Sequence, residues 1–348
     1  MKASPVSSLS ISQALRYSAM RTQGDLVKAQ KELDTGKVFD SGLALGARTA
    51  HTVTFARDFD RLNGIVDSNG IVAARLTATQ DALSNLTGAA QELLGVLTAS
   101  SSGDAAASVT RNSGRAALAA LTSILNTPIN GEYMFAGINT DVKPLDSFAD
   151  GSSSKVAFDA AFLAHFGFSQ NDPAAANITT AQMDAFMTAE LEPQFLGAGW
   201  QANWSGATDQ PIVSRIALNE TAETSVSGNH DAIRKLAMAA AAIGDLFDSN
   251  LGAAGRKALV DKMVGVVGEA ISSLAALQSE VGVVEQRVEA ASERMTMQAD
   301  LFERMIADTE GVDPYEAASR VQNLLSQIET SYALTARIQQ LSLLRFLG

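Results

Sequence analysis

Three histidines, two tryptophans and 38 acidic side chains are the residues of this 348-residue chain with the widest chemical reach, and no cysteine accompanies them. His51, His165 and His230 stand too far apart in sequence to form a local metal motif, so each reads as a structural or surface histidine. The absence of cysteine removes disulfides, thiolate nucleophiles and sulfur-ligated metals together. Neither a Gly-rich phosphate loop nor a nucleophile elbow occurs. Trp200 and Trp204 could line a sugar pocket, the one enzymatic option left open; aromatic residues in a small region more often form its core, because each indole buries a large apolar area. Carboxylates fall mostly on what read as solvated helix faces. These residues point to no enzyme, and no catalytic site, cofactor or metal is expected.

The formal net charge is −12, which argues against nucleic-acid binding, because phosphate neutralisation needs a clustered Lys/Arg excess. No run of apolar residues is long enough to cross a membrane, so membrane insertion is not expected. Met1 to Ser8 lacks the apolar stretch of a secretory signal. The expectation is therefore a protein that stays in the cytoplasm or leaves by a route that reads no such signal.

The elements that position these side chains are long helices. From Phe55 an alternating four-three spacing lands on Phe59, Leu62, Val66, Asn69, Ala73, Leu76, Gln80, Leu83, Thr87, Ala90, Leu94 and Leu97. A second register runs Val260, Met263, Val267, Ala270, Leu274, Leu277, Val281, Val284, Val288, Ala291, Met295, Gln298, Phe302 and Met305. Even against a background of 46% hydrophobic residues, seams this persistent predict two long helices packed at a shallow angle. At 1.5 Å per residue they would span about 64 Å and about 69 Å, a matched pair.

Weaker seams flank them. Leu15, Ala19, Thr22, Leu26, Ala29 and Leu33 stripe an N-terminal helix that stops at Thr35-Gly36-Lys37, followed by a loop over Asp40 to Gly46. Val321, Leu325, Ile328, Tyr332, Ile338 and Leu341 stripe a closing helix after the Asp313-Pro314 boundary. Between the long registers, 141–228 holds four of the seven prolines and both tryptophans; it reads as part strand (Ile212 to Leu218) and part short helix (Thr180 to Leu191). The expected fold is mainly α, an elongated antiparallel helical rod of paired N- and C-terminal helices with an inserted mixed α/β middle domain. The expected divisions are an N-terminal assembly helix (1–45), the two rod halves (46–140 and 229–312), the inserted domain (141–228) and a C-terminal assembly helix (313–348). The terminal seams are longer than one partner can bury, which implies assembly through Leu15, Leu26, Leu33, Val321, Leu325, Ile328, Tyr332, Ile338, Leu341, Leu344 and Phe346.

Leu33-Asp34-Thr35-Gly36-Lys37-Val38 and the stretch from Ser331 through Ala336-Arg337-Ile338-Gln339-Gln340 to Leu344 resemble the helix terminus and the closing helix of the flagellin superfamily of bacterial flagellar axial proteins. The likeness covers residues 1–140 and 229–348. Within that superfamily, Gly131-Glu132-Tyr133-Met134-Phe135-Ala136-Gly137 is similar to a segment of the hook-associated protein 3 family, the hook-filament junction branch, more than to filament flagellin. Phe195 to Ser205, with Trp200 and Trp204, resembles the middle region of its alphaproteobacterial members. One departure is Asp40-Ser41-Gly42-Leu43-Ala44-Leu45-Gly46, where many relatives carry Asp-Asp-Pro, so that loop's contacts do not carry over.

The resemblance implies a non-enzymatic structural protein, exported through the flagellar type III pathway to the extracellular flagellum. Its implied partners are flagellin, hook-associated protein 1, further copies of itself in a ring and a flagellar export chaperone. Filament flagellin is the alternative within the family. A cytoplasmic coiled-coil adaptor or sensory rod is the alternative outside it, and the input domain or membrane segment a sensory rod needs is not visible.

Overall fold

The computed structural model describes residues 8–103, 105–247 and 250–347, with side chains for residue 10 and for 13–337 within those bounds. The fold is mainly helical. In chain order come α1 (Ser8–Thr35), α2 (Ser41–Leu45), α3 (Thr49–Ser101), α4 (Ala107–Leu125), β1 (Pro128–Ile129), β2 (Glu132–Tyr133), α5 (Ser153–Phe166), α6 (Thr180–Phe186), α7 (Glu192–Leu196), α8 (Gly199–Asn203), β3 (Val213–Ala217), β4 (Glu220–Glu223), α9 (Asp231–Leu246), α10 (Ala253–Glu310) and α11 (Pro314–Leu347). The chain sorts into two compact units, residues 1–64 with 296–348 and residues 65–295.

In the first unit α1 packs along α11. Gln23 donates to the Tyr332 hydroxyl, while nine residues further on Glu32 binds Arg320 at 2.9 Å, so the helices run antiparallel. α1 ends where Gly36 takes φ 66, a left-handed conformation that glycine adopts without steric cost. The chain beyond it is pinned to the α10–α11 junction: Val38 N–H donates to Glu310 C=O at 2.9 Å and Val312 N–H to Gly36 C=O at 3.0 Å. Pro314 opens α11 behind Asp313, whose carboxylate accepts the Tyr315 N–H at 2.8 Å. The expected loop over Asp40 to Gly46 contains the short α2, because the Asp40 carboxylate caps it by accepting the Leu43 N–H at 3.0 Å. Phe55 stacks on Phe302, ring centroids 5.9 Å apart.

In the second unit α3 and α10 are antiparallel as well. Asn69 meets Ser292 at 3.0 Å, Thr77 meets Glu285 at 2.8 Å, Gln80 donates to Gln278 C=O at 2.7 Å and Ser101 to Asp261 at 2.9 Å. α4 crosses α9, whose Ala237 to Ile243, apolar at every position, are all buried. The β1–β2 hairpin turns through Asn130 and Gly131 at φ 53 and 87, the backbone that Asn-Gly favours.

The seams are close to the expected registers but differ in detail. On α10 the seam positions from Val260 to Met295 are buried except Val284, which is half-exposed; beyond Met295 the buried positions are Ala299 and Ile306, while Gln298 and Met305 face out. A straight helix drifts by about 20° per heptad against a strict seven-residue repeat, and the polar Gln298 gains from water. On α3 Leu62, Asn69, Leu76, Leu83, Ala90 and Leu97 are buried as the register places them, and Val72, Thr79, Leu86 and Leu93, off that register, are buried beside them, Leu86 and Leu93 completely. That face is widened partly because α3 also meets both hairpins, through the Arg75–Glu132 ion pair and the 2.9 Å bond from Asn69 to Ile216 C=O.

The middle region carries its small β content in β3 and β4, and the Thr180 to Leu191 helix is α6 with a π turn over Met187–Leu191. Its core is shared with flanking helices. Arg234 on α9 donates to Phe195 C=O at 2.6 Å, and Asn126, just past α4, donates to Leu145 C=O at 2.8 Å. Lys155 on α5 pairs with Asp159 and with Asp245 on α9. Burial opposes the Lys155 charge, yet the two carboxylates outweigh it and raise its pKa.

Candidate assembly surface

α1 turns Leu15, Ala19, Thr22 and Leu26 half-inward and buries Ala29, so the N-terminal seam is the α11-facing side. On α11 the matching positions are Ala317, Val321, Leu324, Ile328, Ser331 and Thr335, of which Ala317 and Ile328 are buried. Leu324 occupies the seam where the sequence reading places Leu325. Leu33, Leu325 and Tyr332 lie outside it, exposed by 37%, 42% and 55%. The side chains of Ile338, Leu341, Leu344 and Phe346 lie outside the described residues.

A second apolar stripe lies on α1 away from that seam. Tyr17, Met20 and Val27, at heptad-like spacing through Gly24, are 74%, 68% and 61% exposed. On α11, Leu325 and Tyr332 stand one heptad apart, with Tyr315 and Leu334 also exposed. The sequence expectation does not include Tyr17, Met20 and Val27: their spacing is visible, but Gly24 interrupts the stripe and the Leu15–Leu33 seam is the stronger apolar face. Arg320, held by Glu32 and Glu316 at 2.9 Å each, is the polar contact that fixes the pair at this end.

Elsewhere the chemically capable residues serve structure. Trp200 and Trp204 are each 1% exposed and stacked at 5.9 Å, with Phe148 and Phe195 packed against Trp204; the Trp200 indole N–H donates to Asn229 at 2.7 Å. They are core rather than pocket lining. His165 lies 3.7 Å from Glu190 beside Phe166 and Phe186, and His230 caps α9 by accepting the Ala232 N–H on Nδ1 at 3.3 Å. Burial lowers the His230 pKa against the opposing pull of Glu280 and Asp231. Among the described residues no group of three or more His, Cys, Asp or Glu could hold a metal ion, and no helix is long and apolar enough to cross a membrane.

The Gly131–Gly137 segment is a packing device. Met134, Phe135 and Ala136 are buried, Gly228 N–H donates to Phe135 C=O at 2.7 Å, and Thr208 N–H to Ala136 C=O at 3.0 Å. Gly137 sits at φ 68 against the backbone and side chain of Thr208, leaving no room for a Cβ.

These contacts define a mainly helical protein whose first and last helices, α1 and α11, pair with each other. The chain belongs to the bacterial flagellin family: the flagellin N-terminal helical region matches residues 6–140 and the C-terminal helical region residues 264–347, together more than half of its length. A solved structure of a Vibrio parahaemolyticus protein, provisionally assigned as flagellar hook-associated, shares the fold with a TM-score of 0.52 at 9% identity, over 76% of this chain and 97% of that one. No curated protein sequence matches. Family membership makes the chain a structural component of the bacterial flagellum.

Proposed function

We propose that the chain is the hook-filament junction subunit, a non-enzymatic protein that forms a ring between hook-associated protein 1 and the flagellin filament. The observation that carries its polymerising role is the exposed apolar stripe of Tyr17, Met20 and Val27 beside Leu325 and Tyr332, on helices already paired with each other. Apolar surface of this extent on paired helices is suited to neighbouring subunits. Leu15, Leu26, Val321 and Ile328 hold the pair in register, while Leu33, exposed like Leu325 and Tyr332, and the sequence-predicted Ile338, Leu341, Leu344 and Phe346 are assigned to contact with neighbouring subunits.

The junction reading, as against filament flagellin, is supported by the Gly131–Gly137 segment, which resembles the junction branch and packs as a unit. Export through the flagellar type III route suits a chain free of cysteine, with a chaperone covering the C-terminal apolar residues beforehand. Deleting the gene tests it. Cells should build hooks, leak flagellin into the medium and stop swimming, and purified filaments should contain the protein at only a ring's worth of copies. Filaments built mainly of this chain would make it flagellin instead.

A further inference from the structure

A cleft of about 470 Å³ opens in the second unit between the β3–β4 segment, the start of α9 and the α3/α10 pair. Its floor is apolar, from Leu76, Leu277, Val281 and Val284. The half-exposure of Val284, a seam position on α10, arises here. The rim is acidic, from Asp209, Glu223 and Glu280. Asp209 accepts from Gln201 and Asn229 at 2.8 and 2.7 Å, whereas Glu223 and Glu280 are exposed and have no ion-pair partner among the described residues. Among the described residues lining the cleft, the guanidinium of Arg234 donates to the Phe195 and Gly197 carbonyls at 2.6 and 3.0 Å, which fixes its direction and leaves its charge in place. The His230 imidazole at its edge is held toward the neutral form by burial.

An apolar floor beneath unneutralised carboxylates matches one kind of side chain, a long aliphatic stem ending in a cation. Three carboxylates against the single guanidinium of Arg234 leave the lining net negative, which concentrates cations at its mouth. We propose that this cleft receives a lysine or arginine of a partner polypeptide, its stem on the leucine and valine floor and its charged head on Glu223 and Glu280. The inference is independent of the flagellar junction reading and would stand for any chain with this cleft.

The test uses the full chain and a fluorescently labelled blocked pentapeptide, Ala-Val-Arg-Val-Ala, followed by anisotropy at low salt. Saturable one-to-one binding is expected, weakened at least about tenfold when citrulline replaces the arginine, when the protein carries Glu223→Gln with Glu280→Gln, and in high salt. Both glutamates are exposed, so each single variant should fold and report separately. Equal affinity for the citrulline peptide, indifference to both Gln variants, or no saturation at millimolar peptide would overturn the proposal. Spermidine binding as tightly as the peptide would overturn it in favour of a small polyamine. Self-association abolished by the double variant would overturn it in favour of a second copy.

Discussion

Gly114 on α4 and Gly244 on α9 meet where the two helices cross: a methyl built on Gly114 would lie 2.6 Å from the Gly244 backbone nitrogen and 2.8 Å from Ile243 Cγ2. That approach lets α9, the buried helix of the second unit, seat against α4. Gly114→Ala should cost about 1–3 kcal/mol, as overpacking does. Gly268→Ala on α10, where an added methyl meets nothing within 4 Å, should instead gain about 0.5–1 kcal/mol. Urea midpoints of the two variants check this, and a stabilised Gly114→Ala would show the crossing to be looser than described.

The α3/α10 seam makes graded predictions. Leu277→Asp places an unpaired charge at a site 5% exposed and should cost more than about 4 kcal/mol. Val284→Asp should cost less, since Val284 is half-exposed on the cleft floor. Gln298→Ala should stay within about 0.5 kcal/mol of the parent, because Gln298 faces out. Thermal melts that ranked the three alike would contradict the buried register.

Most of the helical frame was legible because heptad spacing is a direct imprint of helix-on-helix burial. The register positions from Val260 to Val281 are buried where the spacing places them. What escaped was decided by third partners. Val72, Thr79, Leu86 and Leu93 break the simple α3 register, and no heptad records the Asn69 bond to β3. On α5 Phe158, Phe162 and Phe166 stand at helical spacing, but Val156, Ala157, Ala160, Ala161, Leu163 and Ala164 spread apolar residues around the helix and blur its buried face. On α11 the difference between Leu324 and Leu325 is one residue of rotation, set by contacts with α1 such as the Arg320–Glu32 pair and the Gln23–Tyr332 bond rather than by the spacing alone.

His230 gives the second unit an acid-sensitive joint. Its Nδ1 must stay unprotonated to accept the Ala232 N–H, and burial holds its pKa below the ordinary 6.5. As pH falls through that ordinary value, the unfolded chain binds the proton before the folded chain does, so stability declines. The decline continues down to the folded pKa and then levels off for this group. His230→Asn keeps an acceptor at the cap without a titrating ring, so its urea midpoint should fall less than the parent's between about pH 7.5 and pH 5. Identical pH slopes would rule the joint out.

Removing residues 321–348 should leave the melting of the unit formed by residues 65–295 nearly unchanged, since the closing helix belongs to the other unit. Incorporation into the flagellum should be lost. A fall in the melting temperature of the 65–295 unit on truncation would show that the closing helix stabilises that unit as well.

The most direct measurement is a strain whose only copy carries Met20→Asp with Leu325→Asp, both at exposed apolar positions. The account predicts a purified monomer that melts like the parent, together with cells that secrete the protein, release flagellin into the medium and bear hooks without filaments. Full-length filaments on swimming cells, with the double variant present at the hook, would contradict the claim that these stripes are the assembly surface.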